Sequence, residues 1–149
     1  MKIKNWKYED GVVNVDGTVD ISHRGLIKIP VQFGYVSGSF HCTDNKLTSL
    51  SGAPKELGGS FFCNYNQLIS LSGVPKEVGR YFWCHNNQLT SLSGAPREVG
   101  GDFWCDNNQL TSLSGAPKEV GGNFWCDSNK FKSEPDHSFI KIGGGFKYK

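Results

Sequence analysis

The sequence has no run of about 18 apolar residues, so no segment is expected to cross a membrane as a helix. Its opening stretch, MKIKNWKYED, lacks the apolar core of a signal peptide, and a cytoplasmic, reducing location is the expectation. Apolar residues are scarce at 37% and charged ones make up only 20%. The 16 Lys+Arg nearly balance the 14 Asp+Glu, which leaves a net charge of +2 and no polyanion-binding signature. No C-x-x-C pair occurs, which removes the usual zinc signatures. Gly143-Gly144-Gly145 precedes neither a helix signal nor Lys-Ser/Thr, so it is no phosphate loop. Glycine, by contrast, reaches 19 of 149 residues and aromatics 13%, a composition of strands and turns rather than of a helical bundle.

The chain repeats itself every 21 residues. Cys42, Cys63, Cys84, Cys105 and Cys126 keep that step, as do the column from Phe40 to Phe124, the column from Asn45 to Asn129, and the prolines from Pro54 to Pro117. Such a period decides the architecture, because each unit can bury its apolar face only against its neighbours. Shifting back once more places Val19, Ile21 and Leu26 under Phe40, Cys42 and Leu47, a degenerate first repeat with Arg24 in the Asn column. Three parts follow: an N-terminal β cap over 1–18, repeats over 19–131, and a C-terminal cap over 132–149. The stretches IKNWKY and VVNV around Glu9-Asp10-Gly11 predict a hairpin with a D-G turn. Phe146 and Tyr148 predict one further strand, displaced by one residue.

Each unit reads F-x-C-x-x-N-x-L-T-S-L-S-G-A-P-K-E-V-G-G-x. This resembles the leucine-rich repeat skeleton L-x-L-x-x-N-x-L, with Phe and Cys in its first two apolar slots. The phrase NNQLTSLSGAPKEVGG is similar to short leucine-rich repeats of bacterial effectors and tailed bacteriophages. The resemblance implies a leucine-rich repeat solenoid, all-β and helix-poor, with a parallel concave sheet of about six strands and a β-hairpin cap. The stretch from Ser93 to Gly101 is too short and too rich in Gly and Pro for a helix and is expected to be extended or turn-like.

Alternation assigns roles to the columns. Phe103 and Cys105 share one face and Trp104 takes the other, and every repeat follows suit. The cysteines then read as small core groups, too far apart on neighbouring parallel strands for disulfides. The Asn column has the donors and acceptor to bridge backbone groups between repeats. The Lys-Glu pairs of the opposite side read as solubility. The outward column is His41, Phe62, Trp83, Trp104 and Trp125, an aromatic stripe where polar residues are expected. Ser39, Ser60, Tyr81, Asp102 and Asn123 border it on one side, and Thr43, Asn64, His85, Asp106 and Asp127 on the other.

A contiguous apolar patch marks a binding site, and Trp and Tyr dominate interface anchors. The expected partner is a protein, bound by His41, Phe62, Trp83, Trp104 and Trp125 with Tyr81, His85, Asp102, Asp106 and Asp127 at the border. The resemblance to phage repeats implies a bacterial host or defence protein. Alternatively, the Trp row stacks on sugar rings of a glycan, or stabilises the sheet and nothing more. Nucleic acid is disfavoured, because residues 37–129 carry a net −2 and the stripe is flanked by carboxylates. Catalysis is not expected: His85 could approach Asp106, but no nucleophile shares the outward columns. No catalytic residue, metal ligand or cofactor is assigned.

Overall fold

The computed structural model describes residues 5–149, and no helix occurs among them. Two longer strands, β1 (Trp6–Glu9) and β2 (Val12–Val15), form the antiparallel hairpin the D-G turn predicts. Asp10 and Gly11 both take positive φ, 51° and 80°, as a tight two-residue hairpin turn requires. The start of the first alternating stretch, Ile3-Lys4, lies outside the described residues.

After β3 (Val19–Asp20), each repeat contributes two short strands. The first pair is β4 (Phe33–Val36) and β5 (Phe40–His41), followed by β6 (Glu56–Leu57) and β7 (Phe61–Phe62). The series continues with β8 (Glu77–Val78), β9 (Phe82–Trp83), β10 (Glu98–Val99) and β11 (Phe103–Trp104). It closes with β12 (Glu119–Val120), β13 (Phe124–Trp125), β14 (Lys141–Ile142) and β15 (Phe146–Lys147). The odd-numbered strands from β3 to β15 form one parallel sheet of seven, one more than the six expected, because β15 joins it. Phe124 pairs with Phe146, 22 positions on, so the one-residue displacement read from the tail is real.

The opposite side was expected to be extended or turn-like, and it is a second layer of pairing. Strands β2, β4 and β6 form one parallel ladder and β8, β10, β12 and β14 another. Between β6 and β8 the ladder is broken. Elsewhere the amides of Arg97, Gly100 and Gly101 donate to the carbonyls of Lys76, Val78 and Arg80 at 2.6–2.9 Å. The corresponding amides of Lys76, Gly79 and Arg80 have no such partners in the repeat before. A Cβ on Gly100 would overlap the Gly79 carbonyl, whereas one on Gly79 would sit 3.4 Å from the Gly58 carbonyl, so the repeats stand further apart here. The sequence supplies a cause: this step carries Arg80 in the column where Gly38, Gly59, Gly101, Gly122 and Gly144 stand, and a Cβ on any of those glycines would come within 2.9 Å of the preceding repeat's backbone. The Arg80 side chain holds its repeat off the one before, and at this step the Val74 amide reaches the Leu71 carbonyl at 3.4 Å against 2.9 Å for Ala95 to Leu92. Hydrogen exchange should report the gap: the amides of Lys76, Gly79 and Arg80 should exchange faster than those of Arg97, Gly100 and Gly101. Equal protection across the two steps would contradict a break.

The interior is a set of one-residue ladders. Phe40, Phe61, Phe82, Phe103 and Phe124 are fully buried, with ring centroids 5.0–5.5 Å apart. Phe33 meets the N-terminal end of the stack edge-on, and Phe146, itself stacked on His137, closes the other. All five cysteines are buried free thiols beside this stack. Burial pushes the Cys42, Cys63, Cys84 and Cys105 thiols well above their ordinary value, so they pack as neutral apolar groups.

The Asn column bridges repeats as its chemistry allows. Asn87 Nδ2 donates to the carbonyl of Cys84 in its own repeat at 3.0 Å and to that of Cys63 in the repeat before at 3.1 Å. Its Oδ1 accepts from the Leu68 amide at 3.0 Å. Asn45, Asn66, Asn108 and Asn129 do the same. Each cysteine carbonyl from Cys42 to Cys105 therefore receives two amide donors, one from each of two successive repeats, where the chain turns out of the sheet.

Candidate functional site

The register of the seven-stranded sheet sets the outward column. Asp20 pairs with His41, His41 with Phe62, Phe62 with Trp83, Trp83 with Trp104, Trp104 with Trp125, and Trp125 with Lys147. All five expected aromatic positions lie on one face, and each is half-buried. The stripe also has charged ends that the sequence reading missed. Asp20 follows from shifting His41 back by one period, and Lys147 from the displaced tail strand, so both were findable.

The half-burial comes from the rings covering one another. Trp83 and Trp104 stack at 4.5 Å between centroids and 7°, Trp104 and Trp125 at 4.6 Å and 14°. Phe62 meets Trp83 edge-on at 4.7 Å, and His41 lies 4.6 Å from Phe62. At the far end the Lys147 ammonium stands 6.0 Å over the Trp125 ring and 3.4 Å from the Asp127 carboxylate. Both faces of the Trp104 indole are therefore occupied, and the stripe offers ring edges to an incoming molecule. The indole N–H groups of Trp83 and Trp104 and Nδ1 of His85 are enclosed without a hydrogen-bond partner. Unpaired buried polar groups are rare in proteins and costly, on the order of 1–3 kcal/mol each.

The border residues divide by role. Ser39, Ser60, Asp102 and Asn123 hold the backbone: each side-chain oxygen accepts from the amide one repeat on, at 3.0, 3.2, 2.7 and 2.8 Å. Tyr81 interrupts this line and projects outward, 43% exposed. On the other border Asn64 and His85 are buried, while Asp106 and Asp127 are partly exposed. His85 packs among Tyr65, Trp83 and Trp104, with centroids 5.4, 6.0 and 5.9 Å away. Its Nδ1 makes no hydrogen bond to Asp106 or any other group. Tyr65, which the sequence reading left out, is 53% exposed and holds a left-handed φ of 54°, where the same turn in later repeats carries Asn86 and Asn107. A bulky residue held there is strained, a feature that gathers at binding surfaces.

Burial lowers the pKa of His85 against the opposing pull of Asp106, and lowers that of His41 against Asp20. A histidine with a folded pKa below the unfolded 6.5 favours the folded state fully above that value, and the contribution is lost as pH falls from there through the folded pKa. The melting temperature should therefore drop between pH 7 and pH 5, and His41→Asn with His85→Asn should flatten that limb. An unchanged acid limb in the double variant would place the titrating groups elsewhere.

Compared with protein-family models, curated proteins and solved structures, the chain matches none.

Proposed function

We propose that the chain is a non-catalytic, leucine-rich-repeat-type protein-binding module whose aromatic face takes the partner. The observation that carries this reading is the continuous stack from His41 to Trp125 along the outer face of the seven-stranded sheet. Fold stability alone does not need indoles on the outer face, since the inner Phe, Leu and Cys ladders already bury a continuous core. Large aromatics with exposed edges, bordered by carboxylates and by the projecting Tyr81 and Tyr65, suit a protein interface with an apolar centre and polar rim.

The stack geometry weighs against the carbohydrate alternative. Sugar rings pack on open aromatic faces, and the faces of Trp83 and Trp104 are taken by their neighbours. Asp102 and Asn123, which would have held sugar hydroxyls, are engaged with backbone amides. The repeat's resemblance to phage and bacterial sequences makes a bacterial host or defence protein the first class of partner to test.

Affinity capture from a bacterial lysate with wild-type and Trp104→Ala baits tests the reading, alongside soluble-glycan titration followed by tryptophan fluorescence. The expected outcome is a protein retained by the first bait and lost from the second, with flat glycan titrations. A saturable glycan response would move the function to carbohydrate binding.

A further inference from the structure

The outward column begins on a carboxylate and ends on an ammonium, with aromatics between. In register it runs Asp20, His41, Phe62, Trp83, Trp104, Trp125, Lys147, and its midpoint is Trp83 on the fourth of seven strands. A sequence of groups that is opposite at its two ends and apolar in the middle is complementary to its own reverse. We infer that the occupant of the aromatic face is a second copy of this chain, packed face to face about a two-fold axis parallel to the strands and passing over Trp83. This rests on the reading of that face as a protein-binding surface and names the partner.

The axis direction follows from the charges. With the axis along the strands, the order of repeats reverses between copies: Asp20 of one faces Lys147 of the other, and Trp83 faces Trp83. The border carboxylates then meet short neutral residues, Asp102 opposite Ser60, Asp106 opposite Asn64 and Asp127 opposite Thr43. With the axis along the ladder, every strand would face its own equivalent with the two borders exchanged, so that Asp20 and Lys147 would each meet themselves and Asp102 would meet Asp106. Like-charge juxtaposition disfavours that arrangement. Two exposed aromatics stand near the proposed axis: Tyr81 borders Trp83 at 6.3 Å, and Tyr65 packs on His85 in the same repeat as Trp83. The ends carry the charges, with Asp20 exposed and the Lys147 side chain 54% exposed.

The size of the face sets the strength. Six strand spacings of ~4.8 Å and three outward columns give a footprint of roughly 30 by 20 Å, so the pair would bury ~1,200 Å² in all, at the lower end of specific interfaces. A reversible dimer with a micromolar dissociation constant is expected rather than an obligate one.

Sedimentation velocity across the micromolar range tests this on the whole chain. Wild type should pass from monomer to dimer. Tyr81→Arg, an exposed substitution that sets two cations near the axis, should remain monomeric with an unchanged melt. Asp20→Lys alone and Lys147→Asp alone should each weaken the dimer by ~tenfold, and the double exchange should restore it, because only the reversed arrangement joins those two positions. A monomer at every concentration, or a dimer indifferent to Tyr81→Arg, overturns the inference. So does a double exchange no better than the singles. A monomeric wild type that still captures another protein through Trp104 leaves the binding function standing, whereas loss of both removes the two together.

Discussion

Phe82→Ala should destabilise the domain by about 3–5 kcal/mol, enough to unfold most of a repeat array of this size at physiological temperature. Phe82 has no exposed surface and sits at the middle of the inner stack, 5.5 Å from Phe61 and 5.4 Å from Phe103. Its removal leaves a cavity that neither neighbour can fill, because both rings are fixed in their own columns by the parallel register. In a one-dimensional array a central repeat supports two interfaces, so the same substitution at Phe124, near the C-terminal cap, should cost less. Thermal melts of the two variants check the order. A wild-type melting temperature for Phe82→Ala would mean that the inner and outer columns have been exchanged.

Much of this architecture was legible because a repeat is a redundant message. One Phe-x-Cys stretch is ambiguous, but five in a 21-residue register fix alternation and strand direction together, and each Phe and Cys of these two columns from Phe40 to Cys126 is buried. The Asn ladder was legible for the same reason, since a buried amide that recurs at a turn has only the neighbouring backbone to bond. The second sheet was not, because its two-residue strands are defined by backbone pairing and their Lys, Glu and Val side chains carry no decisive pattern. Its break turns on the single position where Arg80 replaces the glycine of the other repeats.

The aromatic column lies on the face where alternation put it, and its character was less legible. Alternation placed the five aromatics on the outer face, yet it treats each residue singly and could not foresee that the indoles would occupy one another's faces. That stacking raises the cost of removing them: pairs of this kind contribute about 0.5–1.5 kcal/mol each beyond area burial, more than the sheet-pair figure alone suggests. Asp102 entered the sequence reading as a contact residue, and the structure gives its Oδ1 to the Asn123 amide at 2.7 Å. A short polar side chain beside a close parallel strand finds backbone before it finds solvent, which composition does not reveal.

The second large effect is on binding. Replacing Trp83 and Trp104 together removes the centre of the stripe and spares every inner column. The loss of stacking should lower stability by a few kcal/mol while leaving a cooperative fold. Binding should fall by ~2 kcal/mol or more for each anchor, a factor of several hundred or greater for the pair if the two act independently. Lys55→Ala with Lys118→Ala, on the opposite sheet's approach, should alter neither property, since both side chains are exposed and form no ion pair among the described residues.

The claim that the inner columns make the fold and the outer column makes the function is tested most directly by one paired measurement. Wild type, the double Trp variant and the double Lys variant are melted and used as capture baits from the same preparations. The expected result is a cooperative melt for all three and partner capture lost only from the Trp variant. A Trp variant that melts cooperatively and still retains the wild-type partners would contradict it and leave the aromatic stripe with a structural role alone.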